Sequence, residues 1–286
     1  MEALQILMAG LPADLNAAVF VVLHIGAGLN GISFLPEILA KAGVLPAAHP
    51  SGAERIQHGR IYVARPDCHL ILEDGAVRAV HGPKENRTRP AINPLFRSAA
   101  AVYGPRVTGV ILTGQLDDGA AGLAEIKRKG GVAVVQDPSR ALFRSMPDNA
   151  IENVDVDYIL SVEEIAGLIA RLASTERSAP VFEEPMESTL LEIKCPECDG
   201  PIWEERQGKI IEYRCRVGHA YSPLTFQLAQ QERVEESLWA SVIELENEAL
   251  IEERLKKVLG PDAVGSQALE YAQAIKALLA KMKTPK

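Results

Sequence analysis

Three cysteines and one histidine in the last third of the chain have types and spacing that suit a metal ion. Cys195-Pro-Glu-Cys198 forms a C-x2-C pair, and Cys215-Arg-Val-Gly-His219 forms a C-x3-H pair after a gap of sixteen residues. Thiolates and an imidazole are ligands that Zn²⁺ prefers in a tetrahedral site. Alternating apolar residues between the pairs predict a small hairpin that brings them together. We therefore predict one structural zinc, because four protein ligands leave no open position for catalysis.

Two other interpretations of these cysteines stay open. A C-x-x-C pair can be redox-active, and cysteines are also often simply buried. An iron–sulfur cluster fits less well, because such clusters are normally held by four thiolates and the fourth residue here is His219. The matching spacing on both sides favours zinc over these alternatives.

A second group of candidate residues follows two apolar runs in the N-terminal half. His24 comes directly after AVFVVL, and a loop from Thr113 to Gly119, which contains Asp118, comes directly after VTGVIL. Ligands of open parallel sheets bind at the carboxyl ends of strands. A carboxylate there could orient an imidazole for proton transfer, as in a Ser-His-Asp hydrolase. Each feature also has a simpler interpretation: His24 could be a structural histidine, and the Asp-Asp-Gly loop could be a turn or a helix cap.

The elements that would position these residues alternate between strand and helix. Apolar, β-branched runs predict buried strands at residues 18–24, 107–112, 132–136 and 156–160. Helical periodicity lies between or after them, at residues 33–42, 93–103, 119–129 and 162–172, with Asn93 as a cap and Pro94 at the first helical position. Asp74-Gly75 predicts a hairpin. The alternation predicts an α/β fold whose mostly parallel sheet is covered by helices on both faces.

Beyond this α/β segment the periodicity changes, which predicts four parts along the chain. The parts are the α/β domain, a charged, proline-containing linker, a small zinc-ribbon-like unit and an α-helical tail, at residues 1–172, 173–191, 192–223 and 224–286. In the tail, a long amphipathic helix over 224–259 precedes a second helix over 266–282 that could fold back on the first.

Composition narrows the function classes. The 286 residues carry a net charge of −8 without a basic stripe, so we expect no nucleic-acid partner. No run reaches the roughly 18 apolar residues that a membrane span needs, and the first ten residues lack the basic start of a secretory signal. We therefore predict a cytoplasmic protein that is not membrane-embedded.

Several long segments resemble the catalytic domain of the bacterial chemotaxis protein-glutamate methylesterases, the CheB family. The resemblance covers residues 1 to about 172, and its segments are VVLHIGAG, GRIYVARPDCHL, NRTRPAINPLFRSAA, GVILTGQLDDGAAGL and VVQDPSRALFRSMPDNAI. It implies an α/β hydrolase-like fold with a Ser, His, Asp triad and no catalytic cofactor. The implied activity is removal of methyl esters from glutamates of chemoreceptor helices, with deamidation of receptor glutamines in many members. Other chemotaxis proteins are implied as further partners.

The resemblance also assigns roles to single residues. His24 matches the general base and Asp118 the orienting carboxylate. Thr113 and Gln115 line the site, and Gln115 stands where the family usually has methionine. The arginines of the NRxRP…LFRS segment, which are Arg87, Arg89 and Arg97, either hold acidic receptor helices or brace the loop, and bracing is favoured for Arg97.

One feature of the family is not found in the sequence. The family begins with a buried central strand and a Gly-Ala-Ser-x-Gly-Gly turn that carries the nucleophile, whereas Met1-Glu-Ala-Leu aligns with the helix that follows this turn. Two explanations compete: an active enzyme whose start has been placed too late, or a truncated, inactive relative that serves as a scaffold. The otherwise intact site favours the enzyme.

Overall fold

The structure is a computed structural model that describes residues 1–24, 33–175, 184–260 and 267–282. The chain divides into two compact units, Met1–Phe226 and Gln227–Lys286. The Cys/His segment therefore belongs to the same unit as the α/β segment, whereas the sequence alone treated it as a separate part.

Parallel strands form two three-stranded sheets in the first unit. In spatial order, one sheet consists of β1 (Val19–Val21), β4 (Ile61–Val63) and β2 (Ala47–Ala48). The other consists of β7 (Thr108–Ile111), β8 (Val132–Gln136) and β9 (Tyr158–Leu160). Every pairing in both sheets is parallel. Buried residues of both sheets share one hydrophobic cluster, so the two sheets belong to one core.

Helices cover this core on both faces. They are α1 (Glu2–Ala9), α2 (Leu35–Ala42), α3 (Ile92–Tyr103), α4 (Ala120–Arg128), α5 (Ser145–Asn153) and α6 (Val162–Ala173). Alternate residues of β8 point to opposite faces: Val132 and Val134 pack with α1, α2 and α6, while Ala133 and Val135 pack with α4 and α5. A strand buried on both faces is apolar along its length, and VAVVQ has that pattern. The predicted α/β class is confirmed.

A small antiparallel sheet lies beside the parallel strands. Its spatial order is β3 (Glu54–Arg55), β6 (Ala76–Val80) and β5 (His69–Glu73). The predicted hairpin at Asp74-Gly75 is confirmed, since Glu73 pairs with Ala76 and Gly75 has a φ of +69°. This backbone conformation is readily adopted by glycine, which has no Cβ.

Three local predictions differ from the structure. Helix α3 begins at Ile92 after Ala91, so Asn93 lies inside the first turn and does not cap its own helix. Helix α5 was not predicted, because its nine residues are too few for a clear apolar period, and its Pro147 is tolerated only because it lies in the first turn. Residues 187–191 of the predicted linker form a strand, and residues 176–183 lie outside the described residues.

The Cys/His segment is a four-stranded antiparallel sheet. Its strands, in spatial order, are β10 (Glu187–Lys194), β11 (Pro201–Gln207), β12 (Ile210–Cys215) and β13 (Ala220–Tyr221). Strands β11 and β12 form the predicted hairpin, in which Ile202 pairs with Cys215. We call residues 187–221 the ribbon. Strand β10 is exposed along almost its whole length, and apolar and polar residues do not alternate strictly in it. The sequence therefore did not indicate a strand there.

Two helices account for the second unit. Helix α7 (Pro223–Leu259) begins in the first unit and extends through most of the second, where α8 (Ala268–Met282) follows. Val242 of α7 packs with Ala272 and Leu279 of α8, and Lys276 forms an ion pair with Glu246 at 2.5 Å. The second helix thus folds back on the first, as the sequence suggested. Within the described ranges, no helix combines the length and the apolar character needed to cross a bilayer.

Candidate functional site

The centre of the candidate site is a histidine and a carboxylate at the ends of two parallel strands. His24 follows β1, and Asp118 lies between β7 and α4. His24 Nε2 lies 2.7 Å from Asp118 Oδ2. The carboxylate side chain is 4% exposed and the imidazole 32% exposed. A ring that donates Nε2–H to the buried carboxylate keeps Nδ1 as a proton acceptor. The pair has the geometry of a proton-handling dyad whose histidine can meet a substrate.

The N-terminus of helix α3 holds Asp118 in its ionised form. The backbone N–H of Ile92 donates to Oδ2 at 2.6 Å, and that of Asn93 approaches Oδ1 at 3.4 Å. The Asn86 side chain also donates to Oδ1, at 3.1 Å. Burial raises the pKa of Asp118, but the hydrogen bonds and charge of His24, with the Ile92 and Asn86 donors, outweigh burial and hold this pKa below its ordinary value. Asp118 is therefore negatively charged near neutral pH.

The Asn93 side chain joins the two helices that meet at Asp118. Its Oδ1 accepts hydrogen bonds from the backbone N–H groups of Gly119, at 3.1 Å, and Gly122, at 2.8 Å. Gly119 precedes α4 with a φ of +100°, so Asn93 caps α4 and not the helix in which it lies. These bonds satisfy N–H groups that have no partner within α4.

Replacing Asn93 by alanine should destabilise the protein. We expect Asn93→Ala to lower the free energy of unfolding by about 1–3 kcal/mol, because two buried N–H groups lose their acceptor. The measurement is urea unfolding followed by circular dichroism. Asn153→Ala is the control, because its amide makes one half-buried contact within α5, and it should cost at most about 1 kcal/mol. Equal losses in the two variants would argue against the capping role.

Thr113 and Gln115 lie in the loop that carries Asp118. Among the described residues, neither of them hydrogen-bonds to His24 or Asp118. The Thr113 hydroxyl accepts from the backbone N–H of Phe143 at 2.8 Å, and the Thr113 N–H donates to Gln136 Oε1 at 2.8 Å. Thr113 therefore ties the loop after β7 to the loop after β8. Gln115 is exposed on the same loop, two residues before Asp117.

The arginines of the NRxRP segment differ in their surroundings. Arg89 donates to Asp67 Oδ1 from Nε, at 2.9 Å, and from Nη2, at 2.7 Å. It also contacts the carbonyl of Gly82 and the ring of His81. These contacts are those of a residue that braces the loop. Arg87 is half-buried and adopts a left-handed backbone conformation with a φ of +66°.

Arg97 braces two parts of the chain that are distant in sequence. Its guanidinium pairs with Glu85 and with Glu212 of β12, the latter at 3.4 Å. These two carboxylates raise the pKa of Arg97 although burial opposes the charge. The interpretation of Arg97 as a bracing residue agrees with these contacts.

The sequence did not indicate two residues that support Asp118. Asn86 donates to the carboxylate itself, and His69 holds the residue just before α3, since its Nδ1 accepts from the Ala91 N–H at 3.2 Å. His69 Nε2 contacts the Pro83 carbonyl at 2.8 Å, and burial lowers the pKa of this histidine. A neutral ring can make both bonds at once. The only sequence signal was their place inside the NRxRP and DCHL segments.

The four predicted metal ligands meet at one end of the ribbon. One ligand atom of each of Cys195, Cys198, Cys215 and His219 lies within 4.8 Å of the others. Cys198 Sγ and Cys215 Sγ are 3.7 Å apart, and His219 Nδ1 is 3.5 Å from Cys215 Sγ. Tetrahedral zinc places two thiolates about 3.8 Å apart and a thiolate about 3.6 Å from an imidazole nitrogen. The group could hold one metal ion.

Comparisons with known proteins find matches for the first part of the chain. The family model described as CheB methylesterase matches residues 1–169. A putative protein-glutamate methylesterase/protein-glutamine glutaminase of Leptospira interrogans is 42% identical over 172 residues, which cover 60% of this chain and 88% of that protein. A Methanosarcina mazei protein, named protein-glutamate methylesterase/protein-glutamine glutaminase 2, is 33% identical over 60% of this chain and 48% of its own length.

A solved structure agrees with these matches. The CheB methylesterase catalytic domain of Thermotoga maritima is similar with a TM-score of 0.56 and 28% sequence identity, and the match covers 60% of this chain and 92% of that chain. The ribbon and the helices that follow it lie beyond the matched residues 1–169. The family model matches more than half of the chain, and the solved catalytic domain shares the fold of the matched part, so the chain belongs to the CheB methylesterase family.

Proposed function

We propose that this protein hydrolyses the methyl esters of glutamate side chains in methyl-accepting chemotaxis receptors. The observation that carries the proposal is the 2.7 Å contact between accessible His24 and buried Asp118 in a member of the CheB family. Glutamine deamidation is proposed as a second activity, because it attacks the same kind of side-chain carbonyl and because the relatives named above are also called glutaminases. Neither reaction requires a cofactor.

The proposed mechanism follows from the roles that the dyad can take. A serine hydroxyl attacks the ester carbonyl, and His24 accepts the hydroxyl proton while Asp118 stabilises the resulting imidazolium. His24 then returns the proton to the departing methoxide, which leaves as methanol. Water activated by His24 finally hydrolyses the acyl-enzyme, which releases the glutamate and restores the serine.

The source of the serine hydroxyl is part of the proposal. Among the described residues, His24 hydrogen-bonds to Asp118, and the hydroxyls of Ser33, Ser98 and Ser145 contact backbone groups elsewhere. We propose that the hydroxyl belongs to a Gly-Ala-Ser-x-Gly-Gly turn encoded upstream of Met1, as the family resemblance implies. Thr113, Gln115, Arg87 and Arg89 are proposed to line or brace the substrate site around the dyad.

A methanol-release assay tests this proposal. We call the product of the whole gene, including any residues before Met1, the full encoded protein. Incubated with receptor methylated at glutamates, it should release methanol, while the 286-residue chain should release at least about 1,000-fold less. Unmethylated receptor is the control substrate. A full encoded protein that binds receptor without releasing methanol would support the alternative function, a scaffold in a chemotaxis-like pathway.

We further propose that the metal held by the Cys/His group is zinc and that its role is structural. The three thiolates and one imidazole satisfy four-coordinate zinc, and the distances between them suit a tetrahedron. When bound, the ion would cross-link the turn after β10 to the turn after β12. No step of the proposed reaction uses it.

The proposed partners and location follow from the proposed substrate. Methylated receptor helices are the main partners, and other chemotaxis signalling proteins are further candidates. No disulfide joins the four cysteines, which agrees with a reducing compartment, and we propose the cytoplasm.

A further inference from the structure

The ribbon contacts the α/β part through a short segment that binds Asn86. We call residues 220–225, which run from β13 into the first turn of α7, the latch segment. The Asn86 backbone N–H donates to the Ala220 carbonyl at 2.8 Å. Asn86 Oδ1 accepts from the Ser222 backbone N–H at 2.8 Å and from the Thr225 hydroxyl at 2.9 Å. Asn86 is 7% exposed and Thr225 is fully buried, so water competes little for these bonds.

These contacts decide which end of the Asn86 side chain faces the dyad. The two latch donors bind the amide oxygen, so the amide NH₂ group is directed to Asp118 Oδ1, at 3.1 Å. A reversed amide would place its NH₂ group against the Ser222 N–H, which can only donate, and its oxygen against the Asp118 carboxylate, which can only accept. Because such a mismatch leaves several buried polar groups unsatisfied, the latch segment fixes the amide in the orientation that stabilises ionised Asp118.

The latch segment begins at the metal group. His219 directly precedes Ala220, and the Cys215 N–H donates to the His219 carbonyl at 2.9 Å. The next residue, Tyr221, is buried with its hydroxyl 3.6 Å from Cys195 Sγ. A metal ion bound to these ligands would therefore restrain the start of the latch segment directly.

Further contacts fasten the same region. The Ser222 hydroxyl donates to Asp117 Oδ1 at 2.8 Å, immediately beside Asp118. Arg97 connects Glu85, the neighbour of Asn86, to Glu212 of the ribbon. The ribbon and the latch segment together are thus attached to both chain segments that supply or support Asp118.

We propose that the ribbon positions the catalytic dyad: with metal bound, its latch segment orients Asn86, which in turn holds Asp118 for His24. Asn86 and Thr225 are positioning residues in this scheme, and metal occupancy controls the rate of ester hydrolysis through them. The inference rests on the proposed methylesterase function and extends it, since the ribbon lies outside the residues that match the family.

The variant that tests this chain of contacts is Thr225→Val. Valine nearly preserves the shape of threonine but removes the hydroxyl that donates to Asn86, and Thr225→Ser restores a hydroxyl. In the full encoded protein with metal bound, Thr225→Val should lower kcat for methylated receptor about tenfold with little change in KM. Thr225→Ser should stay within about threefold of wild type.

A second readout does not depend on activity. In the metal-bound 286-residue chain, the carboxyl carbon of Asp118 is followed by ¹³C NMR as a function of pH. We expect the pKa of Asp118 to rise in Thr225→Val and after removal of the metal by a chelator, because the Asn86 hydrogen bond that lowers it is weakened. Thr225→Ser should leave the titration as in wild type.

The outcomes separate the two proposals. If wild-type full encoded protein releases no methanol but the Asp118 titration responds to Thr225→Val and to the chelator, the methylesterase function fails while the coupling stands. If Thr225→Val changes only the free energy of unfolding, with kcat and the Asp118 titration as in wild type, the ribbon is a packing element and the inference is overturned. If the pKa of Asp118 stayed the same after the metal was removed, the inference would also be overturned.

Discussion

Asp118→Asn is expected to lower kcat for methylated receptor by about 1,000- to 10,000-fold in the full encoded protein. The amide carries no charge to stabilise the His24 imidazolium that forms during the attack. It also has one acceptor oxygen where Asp118 has two, although three donors besides His24 surround the group: the N–H groups of Ile92 and Asn93 and the side chain of Asn86. Its NH₂ group would favour the wrong histidine tautomer, so the general base is lost as well.

Steady-state methanol release measures this effect. We expect KM to change little, because Asp118 is buried and its stabilisation of His24 grows only in the transition state. Asp148→Asn is a matched control: this aspartate pairs with Arg144 on the surface of α5 and should leave kcat within about twofold. A rate for Asp118→Asn within tenfold of wild type would contradict the assigned role of the carboxylate.

Cys215→Ala should abolish stoichiometric metal binding and unfold the ribbon. This cysteine is buried, and its Sγ lies 3.7 Å from Cys198 Sγ and 3.5 Å from His219 Nδ1. Its loss therefore leaves a metal site with one ligand too few. Structural zinc in small domains contributes an apparent binding free energy of about 10–16 kcal/mol. A ribbon with few apolar residues in its core depends on such a term more than the α/β part does.

Metal content per chain, measured by mass spectrometry of the purified protein, tests this. Wild type should contain one zinc ion per chain and Cys215→Ala close to none, with faster cleavage by protease within residues 187–221. Cys68→Ala is the matched control, because this thiol lies outside the metal group, and it should keep the metal and the protease resistance. Cys215→Ala protein with a full zinc content would show that the metal is bound elsewhere, and iron in place of zinc would correct the identity of the ion.

The coupling between ribbon and dyad gives the C-terminal segment a physical role. A loaded metal group holds residues 220–225 in place, and those residues decide how Asn86 meets Asp118. Loss of the ion would then weaken hydrolysis before it unfolds the α/β core, which is built from separate hydrophobic clusters.

Features encoded by neighbouring residues were determined by the sequence itself. Apolar runs, helical periods and Asp74-Gly75 predicted the α/β class, the hairpin between β5 and β6 and the long helix α7, because each depends on local backbone preference and on burial of one face. The spacing of Cys195, Cys198, Cys215 and His219 likewise predicted a compact group of ligands, which short turns bring together. Residues at the carboxyl ends of parallel strands were expected to meet, and His24 lies 2.7 Å from Asp118.

Only the tertiary structure decided which residues surround Asp118. Asn86 and Ser222 are 136 residues apart in sequence, and Arg97 and Glu212 are 115 apart, yet both pairs are in contact. Asn93 resembled a cap of its own helix but caps α4, since the position of that helix is set by packing against β8. Such contacts have no local signature, because any polar residue on either segment could have been the partner. The attachment of the ribbon and the latch segment to the residues that surround Asp118 therefore depends on the packing of the chain and not on its motifs.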